Sequence, residues 1–166
     1  MVRAAQAKAV YGTLRDALTS DRVPIRARLR LYQSGVLSVL THGRESWSLT
    51  AAAASTLRGW NARCLAGMTG RSVAEECRQP TLDLVAWLRG RRLRWAGQVL
   101  RADPGRLDRR ALLARAEALL GSAGGWYPAG FVLEDAPPHS SIEELLEVAG
   151  REETWRAAVE RAERRK

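Results

Sequence analysis

LRGRRLRWAGQVLR, residues 88–101, is the stretch whose reading decides the fold. Five of its fourteen residues are arginine, with Gly90, Trp95 and Gly97 set among them. At 100° per residue, Val85, Leu88, Trp95, Ala96 and Val99 fall on one stripe, which is helical spacing and not the alternation of a strand. Trp87, Arg91, Arg94, Gln98 and Arg101 fall on a second stripe, at steps of 4, 3, 4 and 3. The spacing predicts a long amphipathic helix over 82–102 with its apolar flank turned inward. Side chains on such a ridge stand about 5 to 6 Å apart along the axis, near the spacing of successive phosphates on one strand. Guanidinium groups form two-pronged hydrogen bonds with phosphate oxygens and stack on aromatic rings. The same pattern also fits a solvated arginine face with Trp87 and Trp95 in the core. Gly90 and Gly97 each weaken a helix by about 1 kcal/mol relative to alanine. Their use would be the close approach of another backbone, of protein or nucleic acid.

The rest of the chain also reads as helix. Residues 2–18 are alanine-rich, with Val10, Leu14 and Leu18 in register. Pro24 suits a first helical turn. It opens a helix over 24–41 with Ile25, Leu29, Tyr32, Val36 and Val39 on one face and Arg22, Arg26 and Arg30, four apart, on another. Thr50 is an N-cap for a helix over 51–66 that Gly67 and Gly70 end. Ser72 caps a short turn. Asp103-Pro104-Gly105 stops the arginine helix, and another covers 108–120. GSAGGWYPAGFVLEDAPPHSS then holds four glycines and three prolines in 21 residues. It reads as a long loop with a short extended piece at 131–133. Ser141 followed by Glu144 is a capping box for a helix over 142–149, and a last helix covers 151–164. The expectation is an all-α, irregular multi-helix bundle. It is divided into a basic bundle (1–120), a Gly/Pro-rich linker loop (121–140) and acidic-to-mixed C-terminal helices (141–166).

Charge narrows the partners. The formal net charge is +9, and 25 of the 27 basic residues are arginine. Residues 1–115 hold 21 basic and 8 acidic side chains, a net of +13, whereas residues 116–166 hold 6 and 10, a net of −4. GC-rich coding accounts for some of the arginine and alanine but not for the asymmetry. A basic body points to a polyanion such as an RNA or DNA backbone. The acidic tail offers carboxylates at Glu143, Glu147 and Glu153 that would neutralise Arg91 and Arg94 if it packed there. No apolar run approaches a membrane span, and the start lacks the apolar core of a secretory signal. The expected location is intracellular, nuclear or cytoplasmic.

The residues of common catalytic sites are missing. There is no phosphate-cradling glycine loop and no adjacent pair of aspartates to hold magnesium for nucleotidyl transfer. His42, His139, Cys64 and Cys77 do not have zinc-finger spacing. Cys64 lies at helical spacing from Leu57 and Trp60 and reads as a core thiol. Glu45 near His42 reads as helix-end capping rather than an acid/base pair. The expectation is a non-enzyme with no cofactor, metal or small-molecule substrate.

In order along the chain, RLRLYQSGVLSVLTHGRESWSLT, STLRGWNARCLAGMTG and LRGRRLRWAGQVLRADPGRLDRRAL resemble the segment after the polymerase core of non-LTR (LINE-like) retrotransposon reverse transcriptases. That family carries a Leu-Tyr-Gly-x-Glu-x-Trp-x-Leu turn, an Arg-Cys-Leu-Arg helix and an Arg-Arg-Leu-Arg-Trp-x-Gly-His-Val-x-Arg helix. Gly43, Glu45 and Trp47 match the turn, and Arg63, Cys64 and Leu65 match the second motif. Arg91, Arg92, Leu93, Arg94, Trp95, Gly97, Val99 and Arg101 match the third. VAGREETWRAAV resembles a terminal Ala-x-Asp-Arg-x-x-Trp-Arg helix. The likeness covers residues 24–115 and, more loosely, 141–160. His42, Arg44 and Gln98 depart from the family's tyrosine, cysteine and histidine. The resemblance implies a thumb and post-thumb region, without polymerase or endonuclease catalytic residues, that helps grip template and primer. On that reading Arg26, Arg30, Trp87, Arg91, Arg94, Gln98 and Arg101 contact nucleic acid by charge and shape, with little sequence reading. The alternative is a helical protein-interaction domain or an inert relic of such an element.

Overall fold

In the computed structural model the described residues are 2–43, 47, 50–72, 75, 83–122 and 131–164. Among them the regular structure is all helical, with no strand. The elements are α1 (Val2–Thr19), α2 (residues 25–40), α3 (Ala51–Thr69), α4 (Leu84–Leu100), α5 (Leu107–Ser122), α6 (Ile142–Gly150) and α7 (Glu152–Arg164). The chain divides into two compact units. One is Met1–Arg44 with Thr56–Asp83, and the other is Glu45–Ser55 with Leu84–Lys166. The expected boundary at residue 120 falls inside the second unit.

In the first unit α2 is not uniform. Ile25–Leu31 and Ser38–Leu40 are α-helical, and Tyr32–Leu37 between them is a π turn. The wider turn absorbs an extra residue and rotates the next turn of helix about the axis. Tyr32, Val36, Leu37 and Leu40 therefore all point inward and are buried. The expected apolar face is corrected at one end, since Ile25 is 38% exposed. Gly35 lies under Leu14 of α1, where an added Cβ would sit 3.0 Å from Leu14 Cδ1. The buried Tyr32 hydroxyl donates to Asn61 Oδ1 of α3 at 2.8 Å. Its ring lies between Tyr11, edge-on at 6.4 Å, and Trp60, stacked at 6.3 Å. Arg28 turns inward and donates to the Met68 carbonyl near the end of α3 at 2.6 Å, a cation on a helix's negative end. α3 runs through Gly67, where the sequence predicts its end, to Thr69, and Gly70, at φ +71°, terminates it.

In the second unit α4 is the central rod. Leu93, Ala96 and Leu100 share one core with Leu112 and Ala116 of α5, Val132 and Leu133, Leu145 and Val148 of α6, and Trp155, Val159 and Ala162 of α7. The C-terminal helices thus belong to the same core as α4. The piece expected to be extended at 131–133 is instead part of consecutive turns, closed by Glu134 N–H to Phe131 O and Ala136 N–H to Leu133 O. Two turns in succession drop Val132 and Leu133 into the core. The caps at Thr50 and Ser141 form as expected, with Ala53 N–H donating to Thr50 Oγ1 and Glu144 N–H to Ser141 Oγ. The return half of the second cap is displaced by one residue, because Glu144 accepts from Ser140 N–H and Oγ.

Candidate nucleic-acid interface

The seam between α4 and α7 governs the fate of the arginine ridge. Its floor is two glycines seven residues apart. A methyl group at Gly97 would run into the indole of Trp155, and one at Gly90 would run into the side chain of Glu163. The two glycines thus serve protein packing. Across the seam Trp155 Nε1 donates to the Leu93 carbonyl at 3.0 Å. The helices run in opposite directions, so Glu163 lies beside Gly90 and Trp155 beside Gly97.

The ridge residues line the edge of this seam. Arg94 Nη2 pairs with Glu163 Oε1 at 2.7 Å, the two side chains being 46% and 31% exposed. Arg101 Nη1 donates to the Ala149 carbonyl near the end of α6 at 2.9 Å. Gln98 lies between them and is exposed. Arg94, Gln98 and Arg101 form one wall of a cleft of about 280 Å³, and Glu152, Arg156 and Glu160 of α7 line the other. Arg156 pairs with Glu152, and Arg164 with Glu160, both at 2.9 Å. Farther along α4, the Arg91 guanidinium lies 5.1 Å above the half-buried Trp87 ring, a cation–π contact. The carboxylate that meets the ridge is Glu163, not Glu143, Glu147 or Glu153.

The remaining arginines of the opening stretch point elsewhere. Arg89 lies 3.5 Å from Glu134 and 3.9 Å from Asp135, all three side chains being largely buried. Arg92 is 3% exposed and donates to the Trp47 carbonyl at 2.8 Å. Burial depresses its pKa, and Glu134 and Asp135 work against that depression. This inward cluster is not foreseen from the sequence. Its one signal there is the Glu134-Asp135 pair set in an apolar, proline-flanked stretch.

Arg26 and Arg30 lie on α2, in the first unit, and are exposed. Arg22 precedes them in the turn and is also exposed. None of these three guanidiniums takes part in an ion pair or a hydrogen bond among the described residues. Of the residues carried over from the family motifs, Gly43 has φ +70°, Arg63 is exposed, and Cys64 and Leu65 are buried. Glu45 lies outside the described residues. Burial pushes the Cys64 thiol up to about 11, which suits the core role expected of it.

Among the described residues, no group of three His, Cys, Asp or Glu side chains could hold a metal ion, and no helix is long and apolar enough to cross a membrane. No family model, curated protein or solved structure matches the chain.

Proposed function

We propose that this chain is a non-catalytic nucleic-acid-binding module, the thumb-like part of a LINE-type reverse transcriptase, which holds the backbone of RNA or DNA through arginine. The observation that carries the reading is the placing of charge. The first unit holds twelve basic and five acidic residues, a formal +7, and the second holds fifteen and thirteen, a formal +2. Guanidiniums at Arg22, Arg26 and Arg30 that are exposed and have no carboxylate partner among the described residues support the same reading. The order of the three motifs along the chain supplies the family. Binding of this kind rests on counterion release, so it falls steeply with salt and reads little sequence.

The test is a titration of labelled duplex, hybrid and single-stranded probes by fluorescence anisotropy. Affinity for a nucleic acid of arbitrary sequence should drop by on the order of 10³ between about 50 and 200 mM salt if six phosphates are contacted. No binding at the lower salt would end the proposal.

A second reading, a helical packing or protein-interaction domain, is favoured by one specific observation. Arg94 and Arg101 spend hydrogen bonds on Glu163 and the Ala149 carbonyl. On that reading the ridge is the seat of the C-terminal helices.

A further inference from the structure

Resting on the nucleic-acid reading, we infer that the polyanion is received by the first unit at Arg26 and Arg30 of α2 and at Arg22 in the turn before it, and that the form it fits is a double helix. The α4 ridge is partly spent. Arg94 is paired, Arg101 is bonded to a carbonyl, and Arg91 lies on Trp87. Arg26 and Arg30 of α2, and Arg22 before it, have no such partner among the described residues. Arg26 and Arg30 are one helical turn apart, about 6 Å along the axis. Gln33 and Ser34 continue the exposed stripe without adding an acid. The nearest carboxylate in sequence, Asp21, lies 3.9 Å from Arg28.

The orientation of this face is fixed. Arg28 lies about 200° around the helix from Arg26 and from Arg30, and its bond to the Met68 carbonyl holds it inward. Anchoring Arg28 therefore turns the other two outward. Ordering a phosphate ligand on them breaks no ion pair among the described residues.

The choice of a duplex comes from the aromatic residues. Proteins that hold single strands combine a basic groove with aromatic platforms on which bases stack. The first unit has three aromatic side chains, Tyr11, Tyr32 and Trp60. They are packed on one another, with Tyr32 in the middle and none of them fully exposed. A surface of guanidiniums without stacking rings matches a ligand that hides its bases and presents phosphates.

The experiment compares R22Q/R26Q/R30Q with R91Q/R94Q/R101Q, in the full chain, on a duplex and on a single strand of matched length. Glutamine keeps the helix propensity, and circular dichroism checks that each variant folds. The slope of log affinity against log salt for the duplex should fall by about three, roughly 0.9 per arginine, in the α2 variant. The α4 variant should change it less, and the unaltered chain should bind duplex more tightly than single strand. Loss confined to the α4 variant, an unchanged α2 variant, or tighter binding of the single strand would overturn the inference while leaving nucleic-acid binding in place. Failure of the unaltered chain to bind any probe would overturn both.

Discussion

The indole N–H of Trp155 reaches the backbone carbonyl of Leu93 at 3.0 Å, across a seam that stays narrow because Gly97 has no side chain. This contact ties the last helix to the central one and places Arg94 and Arg101 at the rim.

The two glycines of the seam should respond differently to alanine. Gly97→Ala sets a methyl against the rigid, buried Trp155 ring, and overpacking of that kind costs about 1–3 kcal/mol. Gly90→Ala meets only the flexible side chain of Glu163. It gains up to about 1 kcal/mol of helix propensity, set against a half-exposed ion pair of at most about 1 kcal/mol. Denaturant unfolding should rank G97A well below G90A, with G90A close to the parent. Equal midpoints would contradict this account of the seam.

The inward arginines depend on the turn at 131–136. Glu134→Gln with Asp135→Asn leaves Arg89 and Arg92 buried without their counter-charges, at a cost of roughly 3 kcal/mol. Glu163→Gln, at the rim, should cost no more than about 1 kcal/mol. If thermal unfolding shows the two changes to be alike, the cluster is not the electrostatic support described here.

Cys64 should resist alkylation in the folded chain. In a Cys77→Ser background, iodoacetamide at pH 8 should modify it only at the rate set by unfolding, because the thiol is buried and its pKa is raised to about 11. The linkage has a sign. The neutral thiol is favoured by the fold, so its contribution is complete below the unfolded value of 9.0 and is lost as pH rises through about 11. Burial shifts Tyr11 and Tyr32 in the same direction. Rapid labelling under native conditions would contradict the core placement.

Acid should loosen the start of α6. Ser140, through its backbone N–H and its hydroxyl, holds the Glu144 carboxyl below the usual carboxylate range. A depressed folded pKa means that the contribution is complete above the ordinary value of 4.5 and is lost as pH falls through the lower, folded one. Glu144→Gln should lower the melting midpoint at neutral pH and flatten its decline in acid. A decline as steep as that of the parent would rule out this group as its source.

The helices are legible in the sequence because their ends are chemically marked. Thr50, Ser141 and Gly70 do what their positions announce. The π turn in α2 is not legible, since a fixed 100° step places Ile25 inward and leaves Leu37 off the apolar stripe. The five arginines of 88–101 look like one population. Helical geometry disperses them, and the sorting depends on Glu134, Asp135 and Glu163, partners far along the chain that periodicity cannot identify. Arg26 and Arg30 are expected to be exposed, and they are. That they lack carboxylate partners among the described residues depends on how α2 is rotated, which Arg28 fixes through a contact with α3 that no local pattern contains.

The glycine-floored seam also bears on how the protein is made. Leu93, Ala96 and Leu100 find their full complement only when residues 155–162 arrive, so that core cannot close until the ribosome has passed residue 162. Until then the apolar flank of α4 lacks the cover that Trp155, Val159 and Ala162 supply.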